Sequence, residues 1–328
     1  MSNHSDSDRV VRQLLEVGCA LTKDLAQWHS QHAAGPFRFT LKSSNAQAAK
    51  ALTQYLFPAS QSEFTLYLHI GPVPAWNLAH THAQHLERLH VSEDGSLTAQ
   101  YDIDNRIWMI WDNTTKRGLL WCERVASMPS WYRAAPFRNL LHWALASTQY
   151  AIVHAGTVGG LLLAGKGGSG KSTTVAACTL AGLPTCGDDM VIVGASYAFR
   201  LYNAVKLDAP QALQLGLKAG DVVGGKMVYP YTDWSASVPS ATAIHAIVLP
   251  VVANAPSSLV VESSPAAALR ALAPSTVFLL RGHEAKTLAK IAELVRSTPV
   301  YELRLGRDLE DVVKCVRDLE ERTCLPSL

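Results

Sequence analysis

The sequence has no close cysteine pair, no bilayer-length apolar run and almost no net charge, and each absence removes a class of protein. The six cysteines (Cys19, Cys122, Cys178, Cys186, Cys315 and Cys324) include no CxxC pair and no metal-type spacing. Neither a thiolate metal site nor a CxxC redox motif is therefore expected, and free thiols in a reducing compartment are. The first ten residues, MSNHSDSDRV, are polar and are followed by no apolar segment of the secretory type. The longest apolar stretches, 158–164 and 244–253, fall short of the roughly 20 residues that a membrane-spanning helix requires, and suit buried strands. A formal net charge of +2 carries neither a nucleic-acid footprint nor a polybasic patch. The expectation is a cytoplasmic chain without a nucleic-acid partner or a membrane span. No internal repeat or low-complexity tract interrupts it.

What remains is material for buried cores: 328 residues, 48% apolar and 17% charged, which suits two domains. Val10, Leu14, Val17, Leu21, Leu25 and Trp28 recur at helical spacing, so 9–32 reads as one amphipathic helix. Residues 37–42 alternate as a strand, and 45–57 read as a helix stopped at Pro58. Phe64, Leu66 and Leu68 alternate. Strands come next at 86–91, 97–103, 106–111 and 119–124, and turn signals at 104–105 and 113–118 make the last three an antiparallel meander. Residues 1–130 are thus expected to form an α+β domain. Past Pro129 and Pro136 the pattern changes: an apolar helix over 137–149, a strand at 150–154, a glycine-containing turn and a strand at 160–164. Helix 171–182 and strand 190–194 come after these. Strands at 200–207, 244–251, 258–262 and 299–305 then mix with helices at 208–216, 265–273, 284–296 and 308–322. Residues 131–328 read as an α/β domain, a mixed sheet flanked by helices with a ligand at the strand ends.

Leu161-Leu162-Leu163-Ala164 runs into Gly165-Lys166-Gly167-Gly168-Ser169-Gly170-Lys171-Ser172-Thr173. Strand, glycine-rich turn and helix start in this order are the context that a P-loop requires. The glycines let backbone N–H groups turn inward around phosphate oxygens, and the new helix adds its positive end. Lys171 is placed to reach β- and γ-phosphates, and Ser172 to ligate Mg²⁺. The loop alone says only that a nucleotide binds here; the nucleotide expected is ATP, with Mg²⁺.

Asp188-Asp189 arrive 17 and 18 residues after Lys171, at the start of strand 190–194. The Asp of a Walker B motif ends its strand; this pair begins one. Two carboxylates beside a phosphate site can divide labour, one holding the cation with Ser172 (Asp189) and the other accepting the proton of an attacking hydroxyl (Asp188). A solvated turn is the plainer account, and the position relative to the loop favours function. His154 ends the strand before the loop hairpin; a lone histidine there is more often a structural hydrogen-bonder. Lys166, Arg138, Lys206, Lys226 and Arg281 are candidate cations for the charge that develops in phosphoryl transfer, each weighed against an ordinary surface role. Tyr229, Tyr231 and Trp234 sit in a loop, 224–239, that could close over a peptide; core packing explains them equally well.

His154, the loop and the Asp pair together resemble the HPr serine kinase/phosphorylase family, whose P-loop domain is of the phosphoenolpyruvate-carboxykinase type. His154 is followed by Ala155 where that family has glycine, and the hairpin is shorter. No phosphorylase signature is present, and the N-terminal domain looks unlike theirs. A closer similarity is to the HPr-kinase-like enzymes of lasso-peptide biosynthesis. It rests on Pro136-Phe137-Arg138, Leu141-His142-Trp143, Val153-His154-Ala155-Gly156, Gly167 to Ser172, Gly187-Asp188-Asp189 and Leu201-Tyr202-Asn203 to Lys206-Leu207. The resemblance implies an ATP-dependent kinase for a serine hydroxyl, such as the C-terminal Ser of a precursor peptide, with His154 tuning the aspartates. The partner expected is a peptide or protein with an acceptor Ser, which could bind by strand addition to the N-terminal domain; a homo-oligomer stays open. Two rivals stand beside it: a kinase for free serine or a polyol, and a nucleotide-switched ATPase without an acceptor. Against the latter, no Asn-Lys-x-Asp motif for reading guanine is present.

Overall fold

The computed structural model describes residues 2–25, 28–75, 82–84, 87–218, 220–234, 236–253 and 255–324. The chain separates into two compact units. One comprises 1–147 with 280–283, and the other 148–279 with 284–328.

In the first unit, helix α1 (Ser2–Asp24) is followed by strands β1 (Trp28–Ala34) and β2 (Phe37–Ser43). The expected helix over 9–32 is therefore corrected at its end. Trp28–Ala34 pairs antiparallel with Phe37–Ser43 around the turn at Gly35, which has φ 59°. The inward stripe of α1 is also rotated from the expected one. Val11, Leu15 and Cys19 are buried, whereas Val17, Leu21 and Leu25 are exposed. A Cβ on Gly18 would stand 2.3 Å from a methyl of Leu119, so glycine is what lets the helix lie against the sheet.

Next come α2 (Ala46–Thr53), β3 (Phe57–Pro58), β4 (Phe64–Ile70), β5 (His82–Gln84), β6 (Glu87–Val91), β7 (Leu97–Asp102), β8 (Ile107–Asp112) and β9 (Arg117–Cys122). Asn45 caps α2 by accepting the Ala48 N–H. The nine strands form one sheet in the order β3-β1-β2-β4-β9-β8-β7-β6-β5. β4 is parallel to both β2 and β9, and the run from β9 to β5 is the antiparallel meander. Leu86, assigned to the first of its strands, lies outside the described residues. Helices α3 (Ser130–Ala134) and α4 (Arg138–Leu145) close the unit. All eight residues of α4 are buried. Asn139 donates to Gln100 at 2.8 Å, and the Trp143 indole donates to the Arg281 carbonyl at 2.7 Å. A helix this apolar needs cover on every side, and it finds it here. The contact boundary therefore falls after Ser147, not at 130.

The second unit holds β10 (Ala151–Val153), β11 (Ala155–Val158), β12 (Leu161–Ala164), α5 (Lys171–Leu180), β13 (Val191–Val193), β14 (Tyr197–Phe199), β15 (Ala204–Leu207), α6 (Ala209–Gln214), β16 (Asp221–Val223), β17 (Lys226–Pro230), β18 (Ala241–Ala243), β19 (Ala246–Val252), β20 (Leu259–Glu262), α7 (Pro265–Val277), α8 (Glu284–Ser297), β21 (Val300–Leu305) and α9 (Leu309–Cys324). Three sheets result: β11-β12-β19-β21-β20, β10-β13-β14-β18 and β15-β17-β16. The pairs β12–β19 and β19–β21 are parallel, and the outer strands β11 and β20 run antiparallel to their neighbours. This is the α/β class with mixed sheets.

β12 sets the layers. Leu162 and Ala164 point into a core with α7, α8 and the four-stranded sheet, while Leu161 and Leu163 point into a second core with α5 and α9. A strand covered on both faces reads as a continuous apolar run, as this one does. The turn expected between strands 150–154 and 160–164 is smaller than supposed. Residues 155–158 are themselves a strand, and only Gly159-Gly160 turn. The loop expected at 224–239 contains β17, whose hairpin with β16 turns on Gly224-Gly225, both at positive φ. Tyr231 is fully buried in a core with Val205, Leu207, Ala212 and Tyr229, and Trp234 packs against it. Those aromatics are core residues. No helix among the described residues is long and apolar enough to cross a membrane.

Candidate functional site

The loop Gly165–Gly170 leaves the buried end of β12 and delivers the chain to α5. Gly170 is the N-cap, at φ 97°, and a Cβ there would lie 2.3 Å from a Leu305 methyl. Only glycine meets both conditions. Gly168 also has positive φ, and nothing lies within 4 Å of where a Cβ on Gly167 or Gly168 would be. The loop's outer side is thus open, as an anion at a helix N-terminus needs. Lys171 is buried, and its ammonium donates to the carbonyls of Gly165 (2.5 Å) and Lys166 (3.1 Å). Burial pulls its pKa down, against the attraction of Asp188 and Asp189. The buried hydroxyl of Ser169 has no hydrogen-bond partner. Ser172 and Thr173 are half-buried at the start of α5.

After α5, residues 184–187 are laced to β11. Gly159 N–H donates to Pro184 O, Cys186 N–H to the Thr157 hydroxyl (2.7 Å), and Thr157 N–H to Gly187 O (2.9 Å). This lacing brings Asp188 beside the loop. Gly156 makes room for it. A Cβ there would stand 2.8 Å from a Val175 methyl and 3.1 Å from Asp188 Oδ1.

The two aspartates are held in opposite ways. Asp188 is 1% exposed, and neither carboxylate oxygen has a partner at hydrogen-bond geometry. Burial, and then the neighbouring charge of Asp189, push its pKa above the usual carboxylate range; the nearby Ser172 hydroxyl and Lys171 ammonium pull more weakly the other way. Asp189 has the left-handed φ of 68°, uncommon outside glycine. Its Oδ2 accepts from Lys206 Nζ at 2.6 Å, and His154 Nε2 lies 3.3 Å from Oδ1. Burial also pushes its pKa up, but Lys206 and then His154 outweigh that and hold the carboxyl well below the usual range. His154 is positioned in turn by its backbone N–H, which donates to Thr276 Oγ1 on α7 at 3.1 Å.

The loop, Lys171, Asp188, Asp189, His154 and Lys206 therefore form one constellation inside the second unit. Lys206 belongs to it as the partner of Asp189. Lys226 is half-exposed beside Asp208 at 3.7 Å, and Lys166 is exposed on the loop. Arg138 and Arg281 belong to the first unit. Arg281 does not end a strand, because the run before it is the end of α7 and a turn. Two residues stand beside the aspartates in places the sequence does not give them: Gly156, as the space for Asp188, and Tyr231, whose buried hydroxyl lacks a partner and whose pKa is driven up by burial and then by Asp188. Gly156 is visible as the last letter of Val-His-Ala-Gly; nothing in the sequence places Tyr231 near the carboxylates.

The donors suit a phosphate-bound hard cation. Ser172, Asp188 and Asp189 offer oxygen alone, and no group of three or more His, Cys, Asp or Glu side chains able to hold a metal occurs among the described residues. Mg²⁺ in such sites takes one or two carboxylates and completes its shell with phosphates and water. No family model matches the sequence, and no curated protein matches it.

Proposed function

We propose that the second unit is an ATP-dependent phosphotransferase that moves the γ-phosphate to a serine hydroxyl on a peptide. The observation that carries this reading is Asp188: a buried carboxylate without a partner, with a raised pKa, beside a glycine-rich loop and its lysine. A nucleotide-binding switch requires the loop; it does not require an unpartnered base. A general base works best when its pKa lies nearer the working pH, and burial moves Asp188 that way.

The roles follow from the geometry. Lys171 leaves the carbonyls of Gly165 and Lys166 to meet the β- and γ-phosphates, together with the loop amides. Asp189, fixed by Lys206 and His154, stays ionised and with Ser172 would hold Mg²⁺, whose charge would offset that of the phosphates. Asp188 accepts the proton of the attacking hydroxyl. Its oxygens are covered in this conformation, so the acceptor reaches them only once nucleotide binding has rearranged the site. The Ser172 hydroxyl lies beside Asp188, which favours a second division in which Asp188 shares the cation. The resemblance to the HPr-kinase-like enzymes of lasso-peptide biosynthesis supports a peptide acceptor.

The test is transfer from γ-labelled ATP to serine-ended peptides, with free serine and a polyol alongside. Labelled peptide with wild-type protein, and a loss of about 10²-fold or more with Asp188→Asn, is expected. Transfer to free serine alone would overturn the peptide reading, and full transfer by Asp188→Asn would overturn the base assignment. A shift in the Mg²⁺ requirement with Asp189→Asn but not Asp188→Asn is expected if Asp189 holds the cation.

A further inference from the structure

At the far end of β13 from the aspartates, the second unit has a pocket of about 450 Å³ that shares no residue with the phosphate loop. This volume lies within the range of small-molecule sites. Three aromatic rings line it. Tyr150 and Phe199 meet edge to face at 5.5 Å, and Tyr197 stands 6.4 Å from Phe199. Gly194 allows the Tyr150 ring to lie against the backbone, since a Cβ there would come within 3.1 Å of it. Lys290 of α8 reaches the same pocket and donates to the Tyr150 carbonyl at 2.8 Å.

We propose that this pocket binds a small aromatic acid, with its ring among Tyr150, Tyr197 and Phe199 and its carboxylate at Lys290. The three side-chain rings select an aromatic ligand. A planar π-system packs on Tyr197, which lines the pocket and is 53% exposed. The lysine selects an acid. Lys290 shares the pocket with Glu293 and the phenols of Tyr150 and Tyr197, and Lys286 stands near it on the same helix. Burial, and then the like charge of Lys286, lower the pKa of Lys290 to about 8, so its charged form is disfavoured and an anion beside it relieves that. Relief means proton uptake. At pH 8 Lys290 is about half protonated, and an anion that raises its pKa draws in up to about half a proton.

The experiment is isothermal titration calorimetry of the full chain with phenylacetate at pH 8, in two buffers of different ionisation enthalpy. Binding is expected, with proton uptake, and benzylamine and hexanoate should bind at least about tenfold more weakly. Lys290→Gln keeps a donor for the Tyr150 carbonyl but removes the charge. It should weaken phenylacetate about tenfold or more and abolish the proton uptake. Tyr197→Ala, at an exposed position that leaves the fold alone, should weaken it about 2–10-fold. ATP with Mg²⁺ should not displace the acid. No binding at about 10 mM, on the scale of about −3 kcal/mol, binding unchanged by both variants, equal binding of benzylamine, or displacement by ATP would each overturn the proposal. The last would place the acid at the phosphate loop.

Discussion

Asp188 and Asp189 are neighbours of one residue type, and replacing each by asparagine should move stability in opposite directions. Asp188 is buried with two unpartnered oxygens, and folding raises its pKa. A raised carboxyl pKa leaves stability intact below the unfolded value and removes it as pH rises through the folded one. At pH 7 the ionised group is therefore a cost, and the neutral amide of Asp188→Asn lifts it. The amide still buries polar atoms, so the gain is that of removing a charge and not of a perfect fit, about 1–3 kcal/mol. Asp189 is the reverse case. Its pKa is held low by Lys206 and His154 despite burial, so it contributes stability above the unfolded pKa that is lost as pH falls through the folded one. Asp189→Asn leaves the Lys206 ammonium, 12% exposed, without its carboxylate, and costs about 1–3 kcal/mol, less than a fully buried pair because the aspartate itself is 29% exposed. Asparagine tolerates left-handed φ as well as aspartate does, so backbone strain at 189 does not confuse the comparison. Urea unfolding of the ligand-free protein at pH 7 reads both changes. At pH 5 the gain from Asp188→Asn should shrink. Two losses, or a gain that grows toward acid, would refute the electrostatic account of the pair.

Two further substitutions test the loop and its support. Gly156→Ala puts a methyl 2.8 Å from Val175 and 3.1 Å from Asp188; overpacking of about 1–3 kcal/mol, set against about 0.4–1 kcal/mol of unfolded-state entropy, leaves a net loss in urea unfolding that Val175→Ala should partly restore. If Lys171 meets the phosphates as proposed, Lys171→Met should weaken ATP binding about 100-fold or more in calorimetry; unchanged affinity would mean that the lysine stays on the carbonyls of Gly165 and Lys166.

The helix-forming and strand-forming runs are legible wherever one face or both are buried. β12, buried on both faces, reads as Leu161-Leu162-Leu163-Ala164, and the meander reads as alternation broken by turns. The differences have physical causes. Trp28 continues the helical spacing of α1, but its backbone hydrogen bonds go to Phe37–Ser43 across the turn at Gly35, and such pairing leaves no trace in the apolar spacing. The apolar spacing of α1 points beside its true inward stripe because Gly18 and Cys19, small and inconspicuous, are the residues that meet the sheet. α4 looks like part of the second domain because apolar composition does not say which core a helix enters; Gln100 and the Arg281 carbonyl, far off in sequence, decide that.

At the site, the sequence carries identity and spacing but not direction. The turn from Gly165 to Ser172 is legible because a glycine-rich entry to a helix is built from local backbone conformation, and glycines advertise it. The aspartates are legible as a pair and not as two different groups. They differ in burial, partners and backbone: Asp188 is buried without a partner, and Asp189 has a left-handed φ with Lys206 and His154 beside it. The Asp189 carboxylate meets Lys206 and His154, and Asp188 lies beside Gly156 and Ser172. Nothing in the dipeptide itself marks which member takes which turn. One carboxylate is held ionised by a lysine and a histidine, and the other is buried without a partner, which is the contrast that the proposed division between cation ligand and base needs.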